Sequence, residues 1–498
     1  MFDEIAIKID LASDAGDISV IKSLLHNLNS ISNSASSDSE FAQIDFFKAN
    51  CFAAIRKISG SGQSWNWESP ELEKEIYHLR AASSYITGVS QTEDHSDLRF
   101  RILTNLANAL NHTGRSAEAI ALWDKVLAKH PSYGMAALNR GYALYWYGLY
   151  LYDLGHQALF FNESYHQIKK SLSFDIESHA IEGVSGWLQS LLERGNWENF
   201  SFHQEPESRG RSKREKTYRT WCINNRLFLN PLNDLWNTDI VANDVLTFPS
   251  VIIKLEESPS SSPPEVYGIY NQLKQEYVSA RYMLFNAIEE SQEALHFSDK
   301  RVRLYDMFDY REYRLWIEKA KMAFLGAHAI FDKIAYLVNK YWSLELPARK
   351  VNFTSCWFNS GNPAKGLAEP FVSSENWALR GLYWLSKDFK GTNGSPVQPE
   401  AWHIAEIRNH IAHKYLKVFD HTLVETKEWR KRNGHEWEYP ISDQELVTQT
   451  LKLLSLVRNA LTYVSLAAHF DEQKKKHTLG EGMLGVMPLY EIEDDCRF

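Results

Sequence analysis

Arg408, Asn409 and His413 stand in the run Ile407-Arg408-Asn409-His410-Ile411-Ala412-His413-Lys414-Tyr415, an RNxxxH core with a tyrosine two residues beyond it. An arginine offers a planar cation that can hold a phosphate and stabilise charge growing on its oxygens. A histidine is the side chain whose ordinary pKa suits proton transfer in both directions near neutrality. These are the parts needed to break an RNA phosphodiester. His413 would move the proton of the ribose 2′-hydroxyl or of the departing 5′-oxygen, Arg408 would hold the phosphate, and Asn409 would orient His413 or bridge to a second subunit. The product of such a step would be a 2′,3′-cyclic phosphate or its hydrolysed form, and the step would call on neither metal nor cofactor.

At 3.6 residues per turn, positions five apart differ by about 140° around the axis, so Arg408 and His413 do not share a face of an ideal helix. Asn409 and His413 do, and Arg408 and Tyr415, seven apart, share another. One copy of the motif therefore reads as half of a site. Ordinary roles compete for the same residues. His413 could bond a neighbouring carbonyl, Arg408 could pair with Glu406 or Glu400, and Tyr415 could pack inside the fold. His410 lies on the Glu406 and His413 side and reads chiefly as structural, with a supporting role for His410 and Glu406 left open. His403, His410 and His413 lack the HExxH spacing and have no cysteine close in sequence, so no metal is assigned.

The elements that must position this motif are helical. Pro399-Glu400 opens the helix that carries it, and Ser442-Asp443-Gln444-Glu445 opens a last long helix. Upstream, residues 265–293 and 306–342 carry apolar residues at three and four spacing, including Ala320, Phe324, Ala327, Phe331 and Ile334. Residues 347–362 and 391–399 are loop-like, with a short helix over 375–387 between them. This predicts a bundle of four or five helices with insertions. Lys414 and the run Arg430-Lys431-Arg432 lie close enough in sequence to serve as RNA-binding candidates; Arg209 to Arg214 forms a second basic run.

The first half reads as helix upon helix, with sheet patterns nearly absent. Ala107, Gly114, Ala119, Trp123 and Pro131 fall at the spacing of a tetratricopeptide unit, and Gly141 and Gly148 repeat the first two positions 34 residues later. Residues 97–155 thus resemble the TPR family, with degenerate pairs to either side. Such an array presents a concave face for a protein or peptide, and Tyr142, Tyr145, Trp146, Tyr147, Tyr150 and Tyr152 either line that face or pack between helices. The Ser258 to Pro264 tract reads as a linker. The division expected is a TPR-like region over 1–198, a connecting region over 199–264 with an ordered middle around Trp221 and Trp236, a helical bundle over 265–472 and a tail over 473–498.

Composition bounds the rest. At 498 residues the chain exceeds the usual size of one core, and a net charge of −9 argues against a general nucleic-acid coat while leaving room for one basic cleft. Cys51, Cys222, Cys356 and Cys496 form no CxxC pair, which argues against zinc ribbons and disulfide frameworks. The amino terminus lacks a signal-like basic and apolar run, and no uncharged stretch is long enough to span a bilayer, so a cytoplasmic protein without membrane contact is expected. No GxxxxGK loop is present, which argues against a built-in ATPase.

A helical bundle whose late helix carries Arg408, Asn409 and His413, with Tyr415 after them, resembles the HEPN family of prokaryotic ribonucleases and toxins over roughly residues 265–470, in the branch that follows TPR-like helices. The resemblance implies an all-α chain and a metal-independent endoribonuclease, active as a homodimer in which two motifs meet. It also implies a toxin or antiphage effector that arrests growth and is governed by a trigger at the TPR-like half or by a separate antitoxin. In some relatives the tyrosine of RxxxxHxY is silenced by adenylylation; a Tyr415→Phe variant that keeps both activity and regulation removes that idea. The alternative is a noncatalytic adaptor whose two halves bind proteins.

Overall fold

The computed structural model describes residues 2–60, 66–87, 93–202, 209–253, 264–306, 311–391, 394, 396–421, 437–478, 488–492 and 494. The chain is mostly helical, as its periodicity predicts. The first half holds α1 (Phe2–Asp14), α2 (Ile18–Ser32), α3 (Asp38–Ile58), α4 (Pro70–Thr87), α5 (Glu93–His112), α6 (Ser116–Leu127), α7 (Gly134–Tyr150), α8 (Leu154–Ser171) and α9 (Ser178–Leu192). Successive helices pack on one another. Their starts follow from local chemistry: Asp17 accepts the first amides of α2, and Ser37 with Glu40 makes a capping box for α3.

The glycines that suggested a repeat turn out to serve two purposes. Gly114 makes the turn between α5 and α6 with φ +93, a conformation open to glycine. Gly141 and Gly148 lie within α7, where a side chain would run into Ile168 and Phe161 of α8. Gly148 is therefore a point of close helix contact, whereas Gly114, at the equivalent repeat position, lies in a turn. Of the aromatic cluster, Tyr147 and Tyr150 are buried, Tyr142, Tyr145 and Tyr152 are half-buried, and Trp146 is exposed.

Residues 209–253 contain α10 (Lys213–Asn224) and then an irregular, well-packed stretch. Buried Asp234 accepts from Arg458 at 2.8 Å and from the Tyr147 hydroxyl at 2.9 Å, while Asp244 pairs with Arg281 at 2.7 Å. The Arg209 to Arg214 run is in part the start of α10: Arg214 pairs with Glu289 at 3.1 Å and Arg209 with Asp239. Carboxylates of this chain already occupy those two cations.

The C-terminal bundle is built from α11 (Glu265–Ser291), α12 (Leu315–Tyr341), the single turn α13 (Glu369–Val372), α14 (Trp377–Ser386), α15 (Ala401–His413) and α16 (Asp443–Thr478). α12 lies at its centre, packing on α11, α15 and α16. It starts at Leu315, later than its periodicity predicts. Before it, Arg311 bridges Phe419 and the Glu312 amide donates to the Val418 carbonyl at 2.9 Å.

That bridge belongs to a feature absent from the sequence reading. After His413 the chain leaves the helix at Lys414 (φ −134) and forms β1 (Tyr415–Phe419), which pairs in parallel with β2 (Glu438–Ser442), Tyr415 opposite Glu438. Leu416, Val418, Phe419, Tyr439 and Ile441 are all buried there. Five-residue strands buried on both sides have no alternating pattern to betray them. Tyr415 is consequently not on the motif helix and shares no helical face with Arg408.

The two halves share one hydrophobic core and a set of buried polar bonds. Asp388, just after α14, receives Arg80 of α4 at 2.5 Å and Arg115 of the α5–α6 turn at 2.7 Å; Lys387 pairs with Glu73. Arg380 donates to the His112 and Asn66 carbonyls. Gly114 and Gly381 bring the backbones together, since a side chain on either would collide with the other segment's main chain. Among the described residues, no helix is long and apolar enough to cross a membrane.

Candidate active site

Two opposite faces of α15 set the site. On the inner face Ile404 and Ile407 enter the core, and His403 and His410 turn toward Tyr439 of β2. His403 Nδ1 meets the Tyr439 hydroxyl, and its Nε2 lies 2.7 Å from Glu445. His410 Nδ1 donates to the Glu406 carbonyl at 2.8 Å, with the Glu406 carboxylate 3.4 Å away. Both rings are buried and engaged, so they hold the helix in place and do not gather with His413.

The outer face carries the motif. His413 is exposed at the end of the helix and, among the described residues, makes no side-chain hydrogen bond. Arg408 Nη1 donates to Asn409 Oδ1 at 3.0 Å. Asn409 and His413 are one turn apart, so this bond draws the guanidinium toward the face on which His413 stands. Asn409 thus acts on Arg408 and not on His413. Neither competing carboxylate is engaged by Arg408: Glu400 pairs with Lys452 at 3.3 Å, and Glu406 stands by His410. Among the described residues Arg408 has no acidic partner.

Tyr415 is 65% exposed, contrary to a ring packed in the bundle, and its amide donates to the Trp437 carbonyl at 3.3 Å. Lys414 is exposed at the helix end. Arg430, Lys431 and Arg432 lie outside the described residues. Trp402, two turns before Asn409 on the same side of α15, is 56% exposed, and Trp437 is exposed as well.

Sequence spacing did not single out His328. It lies on α12 beside the motif helix, and its pKa is lowered by burial first, with Asp332 opposing and the charge of Arg408 adding to the fall. A neutral imidazole is thereby held near the motif arginine. Its polar position beside the apolar stripe of α12 was the available signal. The Phe389 ring lies 6.1 Å from His328, directly after Asp388 in sequence.

Among the described residues one group offers ligand atoms to a metal ion, Asp420, His421 and Asp443, each with an atom within 4.8 Å of the others. Burial, then Asp443 and Asp420, raise the pKa of neighbouring Glu312. Asp443 Oδ1 also accepts the His421 amide at 3.0 Å, so the cluster ties the end of β1 to the start of α16.

Residues 258–471 match the family model described as LA2681-like HEPN. Residues 258–471 are a HEPN domain. Comparison with curated proteins and with solved structures found no match. HEPN domains are generally nucleases, and the matched stretch contains the whole RNxxxH helix, β1 and β2.

Proposed function

We propose that the HEPN domain is a metal-independent endoribonuclease that cleaves RNA by attack of a ribose 2′-oxygen on the adjacent phosphorus. The observation that carries this reading is the motif's outer face, where Arg408 lacks an acidic partner among the described residues, Asn409 holds it and His413 is open to solvent. As the 2′-oxygen forms its bond to phosphorus, its proton passes to His413 or to the equivalent group of a second subunit. The bond from phosphorus to the 5′-oxygen breaks, and that oxygen leaves with a proton. Arg408 neutralises charge on the non-bridging oxygens throughout.

A homodimer completes the site in this account, with His413 and Arg408 of two copies facing one RNA strand. Exposed Trp402, on the same side of α15 as Asn409 and His413, supports a second copy as the partner of this face. Trp402→Glu is expected to give a monomer by light scattering and to lower cleavage; a dimer of unchanged stability contradicts that interface. Regulation belongs to the helical first half, taken as a TPR-like receiver of a protein or peptide trigger, with a separate antitoxin as a further partner. The grip of Arg80 and Arg115 on Asp388, next to Phe389 and His328, supports a path from that half to the motif. Tyr415 is accessible to a modifying partner. A toxin or antiphage effector is the physiological role proposed.

Overexpression tests the function. Growth arrest by the parent, abolished by Arg408→Ala and by His413→Ala at equal protein levels, is expected. Arrest that persists in both variants contradicts the nuclease and leaves the adaptor.

A further inference from the structure

Among the described residues the two most exposed tryptophans stand close to the two ends of the motif helix: Trp437 is 68% exposed and Trp402 56%, while no other exceeds the 40% of Trp146. Trp402, on the first turn of α15, touches the rings of His403 and Tyr439. Trp437 stacks on no other ring among the described residues. Its carbonyl takes the Tyr415 amide at 3.3 Å, and the register that sets Tyr415 opposite Glu438 brings Trp437 level with Lys414, the residue after His413. Tyr415, 65% exposed, is a second open ring at this end of the sheet.

Both rings sit on a fixed support, because Leu416, Val418, Tyr439 and Ile441 bury the strands behind them. The charge around them is positive. Glu438, the carboxylate opposite Tyr415, is met by Arg311 at 3.5 Å and by Lys417 at 3.6 Å, while Arg408 has no acidic partner among the described residues and Lys414 is exposed. A flat π face next to a phosphate-holding cation is the complement of a nucleotide, since every base offers a face to stack and its backbone carries negative charge. A purely apolar partner would leave that positive charge unanswered.

We propose that Trp437, with Tyr415 beside it, stacks a base of single-stranded RNA next to the phosphate that Arg408 holds. This rests on the nuclease reading of the motif and adds the substrate class. The RNA is unpaired and held with little regard to sequence, because the bases of a duplex are already stacked on one another. Trp437 is then a positioning residue that draws the strand toward His413, and it performs no proton transfer.

The test measures binding and cleavage separately, with the full chain. The binding probe is a short 2′-O-methyl oligoadenylate, which lacks the free 2′-hydroxyl that cleavage needs, used alone and annealed to its complement. Fluorescence anisotropy should show the single strand bound more tightly than the duplex. Trp437→Ala should weaken single-strand binding by about 10-fold or more, Trp437→Leu by as much, and Trp437→Phe by less than about threefold, because stacking needs a ring and not merely apolar bulk. All three variants should melt with the parent and keep its oligomeric mass in light scattering. In cleavage of unmodified RNA, the loss in Trp437→Ala should appear in KM more than in kcat. No binding by the parent, equal binding of single strand and duplex, a Trp437→Ala affinity equal to the parent's, or a changed oligomeric mass in that variant overturns the proposal. Ring-dependent binding without cleavage would sink the nuclease alone. Cleavage that needs Arg408 and His413 but ignores Trp437 would sink the stacking platform alone.

Discussion

Asn409 is the residue whose role the structure changes most. Its side-chain oxygen takes the Arg408 guanidinium, so it positions the cation. Asn409→Ala should leave folding intact and lower RNA cleavage by up to about 100-fold, the scale expected when a reacting group is misplaced by about 1 Å. Combining it with Arg408→Ala should add little, since both act through one guanidinium. Additive losses measured in single-turnover cleavage would give Asn409 a separate role. The identities of Arg408, Asn409 and His413 were legible as a motif because their chemistry is specific. Their arrangement was not, because a side-chain bond between sequence neighbours leaves no mark in spacing, and His328 approaches from another helix.

At the level of elements, helix starts and stripes were read well where the signal is local. Pro399-Glu400 precedes α15, Ser442 caps α16 through its hydroxyl at 3.1 Å, and the stripe of α12 is the buried one. The parallel pair β1 and β2 escaped because its partners are far apart in sequence and share no turn. Spacing also placed Gly114 and Gly148 in equivalent roles, which only the three-dimensional packing separates. Gly114→Ala should therefore destabilise the protein by about 1–3 kcal/mol or more, through both its positive φ and its collision with the α14 backbone. Gly148→Ala should act only through crowding against Phe160 and Phe161, and a smaller loss at Gly114 than at Gly148 in denaturant titrations would contradict this assignment.

In the whole molecule, the junction of the two halves rests on Asp388. Burial alone would raise its pKa, but the Arg115 and Arg80 charges outweigh that and hold it at about 2. A carboxylate depressed on folding stabilises the native state above its unfolded value near about 4, and that contribution fades as pH falls toward about 2. Asp388→Asn leaves two guanidiniums facing a neutral group, one of them 1% exposed, and should cost about 3–5 kcal/mol at neutral pH. The difference from the parent should shrink between about pH 4 and pH 2; a constant difference across that window contradicts the pairing. None of this junction was legible beforehand, because Asp388 lies some three hundred residues from its partners and no periodicity links them. The central claim remains that this HEPN domain cuts RNA with Arg408 and His413. Its most direct test is the end-group chemistry of RNA incubated with the purified full chain, with and without cell extract as a source of trigger. The account predicts fragments ending in 2′,3′-cyclic phosphate, with His413→Ala slowed by about 100-fold or more. Intact RNA under both conditions, or cleavage unchanged in His413→Ala, would contradict it.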